Sequence, residues 1–229
     1  MKLVAFMGSP RPQGNTAVLL EEALEGAREA FRSLAVGDNT GGRGREDLEI
    51  EVFRLNWLKI KPCQGCNKCA ETGHCMYHDD MDQIYRAVED LDGLILASPT
   101  FFFSLSAQTK AMIDRFQSFW ARKYVLKRPM PDPSLRPGAF LSTAGLPFRP
   151  EIFAPSQSVV RLFFRLIGVA YQEELLVDNT DRVPVAQNIE AQARARQVGR
   201  ALIEARAAAR DGINGSFRPL QSSPKPRDG

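Results

Sequence analysis

Several scarcities in the sequence each exclude a class of protein. No stretch approaches the roughly 18 consecutive apolar residues that a membrane span needs. The longest apolar clusters, around Phe101 and Phe163, are broken by Ser or Arg. The apolar run Leu3 to Met7 stops at Gly8, too short for a signal-peptide core, and no small-residue cleavage site follows. A membrane partner is therefore not expected, and the expected location is cytoplasmic. Neither sign of charge dominates: 30 Lys and Arg stand against 27 Asp and Glu, a net +3. Arg218, Lys225 and Arg227 against Asp228 supply +2 of it at the C-terminal end. The remainder shows no clustered basic face, which argues against a nucleic-acid partner. Cysteine is scarce too, with four residues, all between Cys63 and Cys75. No disulfide framework spans such a chain, and in a reducing compartment clustered thiols point to metal or redox chemistry. No internal repeat is present.

What is there is ordinary for a globular protein: 229 residues, 44% hydrophobic and 25% charged. Leu3 to Met7 reads as a buried strand ended by Gly8-Ser9-Pro10. From Asn15 the period becomes helical, with Leu19, Ala23, Ala27, Ala30, Phe31 and Leu34 on one face. Gly37 to Asp47 is glycine-rich and polar, a loop. Leu48 to Leu55 alternates as a second strand, and Asp79 or Asp80 caps a helix presenting Met81, Ile84, Tyr85, Val88 and Leu91. Gly93 to Ser98 is a third strand, ended by Pro99. A helix is expected from Ala107 to about Tyr124, with Ala111, Met112, Phe116 and Phe119 inward. Ala139 to Ser142 forms a fourth strand, Ser156 to Leu166 a helix, and Val169 to Val177 a fifth strand. Pro184 stands at or near the start of a last, Ala/Arg-rich helix.

Five alternations of short apolar strand and helix predict an α/β, flavodoxin-like three-layer sandwich with a five-stranded parallel sheet. One domain is expected over residues 1–212, with a cysteine-rich insertion at 61–78, followed by a flexible tail at 213–229. In such a fold ligands bind at the carboxyl ends of the strands, at the topological switch point. The first such loop, Gly8 to Thr16, opens a helix and offers Ser9, Asn15 and Thr16 as short donors around Gly14, which permits a tight turn. Backbone N–H groups at a helix N-terminus hold anions. The loop is neither G-x-x-x-x-G-K-[ST] nor G-x-G-x-x-G, so a nucleotide loop and a dinucleotide site are unsupported. It fits a permanently bound phosphate monoester such as that of FMN; the plain alternative is a turn whose Ser, Asn and Thr cap the helix.

The cysteines read Cys63-x2-Cys66-x2-Cys69-x5-Cys75, close to the bacterial ferredoxin run C-x2-C-x2-C-x3-C. Gly65 and Gly73 keep the backbone close. The spacing admits a [4Fe–4S] cluster, a zinc ion or unmetallated thiols. His74 and His78 stand near enough to serve zinc, and otherwise read as surface loop residues.

Together these motifs resemble the iron–sulfur flavoproteins, a branch of the flavodoxin-like NAD(P)H-dependent FMN reductase superfamily. The resemblance rests on GSPRPQGNT at Gly8 to Thr16, KPCQGCNKCAETGHC at Lys61 to Cys75 with the following DDM, and SPTFFFSLSAQTKAMIDR at Ser98 to Arg115; STAG at Ser142 to Gly145 and GVAYQEELLV at Gly168 to Val177 extend it. It implies FMN with its phosphate on Ser9, Arg11, Gly14, Asn15 and Thr16. The isoalloxazine would lie against Pro99, Thr100, Phe101, Phe102, Phe103 and Ser104 and against Thr143, Ala144 and Gly145. Cys63, Cys66, Cys69 and Cys75 would hold a [4Fe–4S] cluster in a homodimer or homotetramer. The family's third-strand loop usually reads P-x-Y-F-G-S; here Phe101 replaces the tyrosine and Phe103 the glycine. At least one of the three phenylalanines is expected in the core or an interface. Asp114 and Arg115 are expected as an exposed or interface ion pair. The expected function is a redox flavoprotein passing electrons between a carrier such as ferredoxin, or NAD(P)H, and an acceptor. The alternatives are an NAD(P)H-dependent FMN or quinone reductase without a cluster, and a non-catalytic zinc-binding interaction module.

Overall fold

The computed structural model describes residues 1–37, 47–129 and 131–210. Nearly all of the loop expected at Gly37 to Asp47, and the tail expected from residue 213, lie outside them. The strands are β1 (Lys2–Met7), β2 (Glu49–Arg54), β3 (Gly93–Phe101), the two-residue β4 (Ser104–Leu105), β5 (Pro137–Thr143) and β6 (Ala170–Val177). Five of them pair in parallel in the order β2-β1-β3-β5-β6, and β4 folds back antiparallel on β3. The chain leaves β1 toward β2 and then crosses to β3 on its other side, so the switch point lies between β1 and β3.

The helices are α1 (Asn15–Gly37), α2 (Cys69–Thr72), α3 (Met81–Asp90), α4 (Ala107–Arg115), α5 (Gln117–Trp120), α6 (Pro150–Ile167) and α7 (Ile189–Arg210). Side chains on a strand alternate between faces, and the sheet sorts accordingly. Leu3, Ala5 and Met7 pack with α1 and α7, whereas Val4 and Phe6 pack with α3 to α6. The result is the expected three-layer sandwich with a core on each face of the sheet. Helices α1 and α7 touch backbone to backbone: a Cβ at Gly26 would lie 2.0 Å from the Arg196 carbonyl oxygen, and one at Gly199 1.7 Å from that of Ala23. Arg136, 6% exposed, donates to the carbonyls of Val88, Glu89 and Leu91 at the end of α3 and of Ile167 at the end of α6. One buried cation thus satisfies two helix C-termini.

Several expectations are corrected. Pro99 does not end the third strand, which runs on to Phe101 because Pro99 pairs in register with Thr143 and the chain then turns back into β4. The helix expected from Ala107 to Tyr124 is interrupted at Phe116 and ends in a π-turn at Ala121–Val125. The helix expected from Ser156 begins at Pro150, a proline at its first position. Pro184 precedes a separate 3-10 turn, Val185–Gln187, and α7 starts at Ile189. On α1, Leu19, Ala23, Ala27 and Ala30 are buried as expected, but Leu34 is 42% exposed.

Candidate functional site

The parallel register gathers the three expected loops on one edge. Met7 is paired with Ala97, and Pro99 with Thr143. The Gly8–Gly14 loop, the β3–β4 hairpin and the Thr143–Gly145 loop therefore leave adjacent strands side by side.

Gly8 is held by a buried hydroxyl network. Its N–H donates to the Ala97 carbonyl at 2.7 Å, the Ser106 hydroxyl donates to its carbonyl at 2.7 Å, and a Cβ there would lie 1.9 Å from Thr109 Oγ1. Ser9, also buried, accepts the Arg11 N–H at 3.1 Å and closes the turn. Asn15 Oδ1 accepts the Val185 N–H at 2.9 Å, and the Thr16 and Thr143 hydroxyls bond at 2.7 Å. Gly14 needs no left-handed backbone; its contribution is close approach, since a Cβ would lie 3.0 Å from Arg11 Cβ. Arg11 itself is exposed. The side-chain oxygens of Ser9, Asn15 and Thr16 thus hold the loop in shape. What the loop presents outward is backbone: among the described residues the N–H groups of Gln13, Asn15 and Thr16 meet no protein acceptor. They stand at the start of a long helix with no acidic residue in its first turn, an arrangement suited to an anion.

The hairpin is unusual. Phe101 pairs with Ser104, leaving Phe102 and Phe103 as a two-residue loop, and both have positive φ, 49° and 59°. Two positive φ values define the tight hairpin turn that Asn-Gly normally fills. At least one phenylalanine was expected in the core or an interface, and the core is excluded for all three: Phe101, Phe102 and Phe103 are 46%, 105% and 40% exposed within this chain. With Leu146 and Phe148 they form the apolar exposed side chains of this edge. Behind them the Thr100 hydroxyl bonds that of Ser142 at 3.0 Å. The third loop is tied to the chain after β6: the Ala144 N–H donates to the Val177 carbonyl, the Thr180 N–H to that of Ala144, and Gly145 leaves no room for a Cβ beside the Asp181 carboxylate.

The cysteines form a second centre. Cys63, Cys66, Cys69 and Cys75 all line one small, partly open pocket, with Met76, Tyr77 and Arg115 among the other walls. None is disulfide-bonded, and Cys66 is exposed while the others are half-buried. Burial pushes the Cys69 thiol up, and the charges of Cys75, Cys63 and Cys66 add to that, which marks the four sulfurs as electrostatic neighbours. Gly65, Asn67 and Gly73 have left-handed backbone, φ 62°, 61° and 82°, and wrap the segment around the pocket. Among the described residues, no three Cys, His, Asp or Glu side chains are gathered closely enough to hold a single ion. His74 and His78 are exposed.

Two arginines clamp this segment. Arg115, 1% exposed, grips Asp79 with both terminal nitrogens, at 2.6 and 3.2 Å, and also donates to the carbonyls of Lys61 at 2.7 Å and Tyr77 at 3.4 Å. Those carbonyls flank the first and last cysteines. Arg122, on the π-turn, donates to the Gly73 carbonyl at 2.7 Å, pairs with Glu89 and reaches His74 Nδ1 at 3.1 Å. Burial alone would push Asp79 up, but the Arg115 guanidinium and the N–H groups of Lys61 and Met81 outweigh it and hold its carboxyl low. The expected Asp114–Arg115 ion pair is therefore wrong. Asp114 pairs with Lys110 at 2.7 Å on the surface, while Arg115 turns inward. A signal was present: Arg115 is spaced three and four residues from the inward Met112 and Phe119, on the buried stripe. Of the expected caps, Asp79 accepts the Met81 N–H at 3.0 Å, whereas Asp80 accepts that of Lys59 at 2.6 Å.

The curated relatives include the iron–sulfur flavoprotein of Methanocaldococcus jannaschii, 39% identical over 115 residues, 50% of this chain and 51% of that protein. That of Methanosarcina thermophila is 30% identical over 145 residues, 63% of this chain and 64% of that protein. The chain thus spans about half to two thirds of the length of these two relatives. Among solved structures, a flavone reductase aligns with a TM-score of 0.60 at 21% identity, covering 95% of this chain and 66% of that one. The NAD(P)H:quinone oxidoreductase of Methanothermobacter marburgensis aligns at 0.60 and 18% identity, covering 88% and 96%. These distant likenesses agree with the sandwich fold. The sequence profile described as NADPH-dependent FMN reductase matches residues 1–148, the part that carries both the loop edge and the cysteine pocket, and the chain belongs to that family.

Proposed function

We propose that the chain is a flavin-dependent oxidoreductase. It binds FMN at the carboxyl edge of the sheet and a [4Fe–4S] cluster on Cys63, Cys66, Cys69 and Cys75, and passes electrons between NAD(P)H or a carrier such as ferredoxin and an acceptor. The observation that carries this reading is the convergence of all four cysteines on one pocket. A [4Fe–4S] cluster takes one thiolate at each iron, so it needs sulfurs around a space rather than around a point. The relatives' name, iron–sulfur flavoprotein, supports the same reading. The free N–H groups at the start of α1 suit the FMN phosphate, and the exposed phenylalanines suit a flat ring system.

In this reading the α1 N-terminus neutralises the phosphate, and the hairpin and the Thr143–Gly145 loop orient the ring. The two arginines hold the cysteine segment shaped for its ligand. FMN exchanges electrons singly or in pairs and the cluster one at a time, so together they connect two-electron and one-electron partners. No side chain is asked to act as a general acid or base.

The test is the iron, sulfide and flavin content of anaerobically purified protein, with EPR after dithionite reduction. Cys66→Ala abolishes the EPR signal and leaves FMN bound; loss of FMN with an unchanged signal overturns the assignment. Iron-free protein that oxidises NADPH with a quinone would support the cluster-free reductase instead.

A further inference from the structure

Arg115 carries one feature that its structural duties do not use. Its two terminal nitrogens are committed to Asp79, Lys61 and Tyr77, yet its Nε is buried and has no hydrogen-bond partner. A buried donor without a partner is costly and calls for an explanation, an unseen bound group among them. Arg115 is itself one of the residues that wall the cysteine pocket. Cys75 lies near enough for its charge to act on Arg115 and on Tyr85, whose hydroxyl donates to the Arg115 carbonyl at 2.8 Å. A clamp alone would be complete without Nε.

We propose that Arg115 sets the potential of the sulfur-bound group: its Nε–H donates to that group across the pocket wall, and its fixed charge favours the reduced, more negative state. The proposal rests on the reading that the four cysteines hold a [4Fe–4S] cluster. The reduction potentials of such clusters follow net charge and hydrogen bonds to sulfur, and a buried guanidinium supplies both. Nothing in the loop sequence between the cysteines offers a comparable cation inside the pocket; Lys68 is exposed.

The test uses anaerobic holoprotein in which arginine carries 15N at Nε. Iron and sulfide content and the EPR signal of the reduced wild type first establish the cluster; their absence overturns the proposal together with the reading beneath it. With the signal present, pulsed EPR is expected to show a 15N coupling that disappears in Arg115→Lys, which keeps the charge and loses Nε. A wild-type signal without coupling, or a coupling that persists in Arg115→Lys, overturns the proposal and leaves the cluster reading intact. The wild-type measurement stands even if variants fold poorly. In Arg115→Gln with iron and FMN retained, the one-electron equilibrium is expected to shift at least tenfold against reduction, 59 mV for a one-electron couple. A potential unchanged in both variants would mean that Arg115 is only a clamp.

Discussion

Phe102 offers a sharp test of how the hairpin is held. Its φ is 49°, and its neighbour Phe103 has φ 59°. An L residue pays about 1–2 kcal/mol for left-handed backbone, and Asn is several-fold enriched there relative to other non-glycine residues. Phe102 is fully exposed, 105% of its reference area, so its replacement sacrifices no burial within the chain. Phe102→Asn should therefore recover roughly half of the conformational cost, about 0.5–1 kcal/mol. For a chain of this size 1 kcal/mol corresponds to about 2–4 °C, so the flavin-free protein should melt about 1–4 °C higher. Thermal unfolding followed by far-UV circular dichroism measures this. A strained, exposed aromatic persists where it has a task, so the same variant should bind FMN or turn over acceptor less well, read by flavin fluorescence and steady-state kinetics. A flavin-free melting temperature that stays put or falls would refute the strain argument.

Gly8→Ala should destabilise by about 1–3 kcal/mol, because the new methyl meets Thr109 Oγ1 and the Ala97 carbonyl; the melting temperature and retained flavin should fall together. Arg136→Met strips the cap from the carbonyls of Val88, Glu89, Leu91 and Ile167, and should cost on the order of 3 kcal/mol, seen as a lower urea midpoint with an unchanged slope. Burial would push Asp92 up, but the Lys2 N–H and Arg206 outweigh it and hold its carboxyl below the usual value. The unfolded chain then takes the proton first, so this contribution is whole above the unfolded pKa of about 3.9 and is lost as pH falls through the lower folded value. Asp92→Asn should flatten that acid limb in a stability-versus-pH series.

The parallel sandwich was legible because its signals are local. Short continuous apolar runs at Leu3–Met7 and Gly93–Ser98, and the three- and four-residue spacing of Leu19, Ala23, Ala27 and Ala30, report strand and helix without reference to distant partners. The spacing of Cys63, Cys66, Cys69 and Cys75 was likewise local, and it marked the segment that the fold closes into one pocket. Tertiary structure decided what depends on partners far along the chain. Ser9, Asn15 and Thr16 were correctly placed in the first loop. Val185 and Thr143, remote in sequence, engage the side chains of the last two, and the backbone amides of Gln13, Asn15 and Thr16 are left without protein partners among the described residues. Arg115 looked like half of a surface pair because Asp114 is its neighbour. Only the packing of α4 against the cysteine segment brings it to Asp79, 36 residues earlier. Periodicity records which face of an element is buried; it carries no record of which distant polar group awaits it there, and that pairing is what makes the pocket.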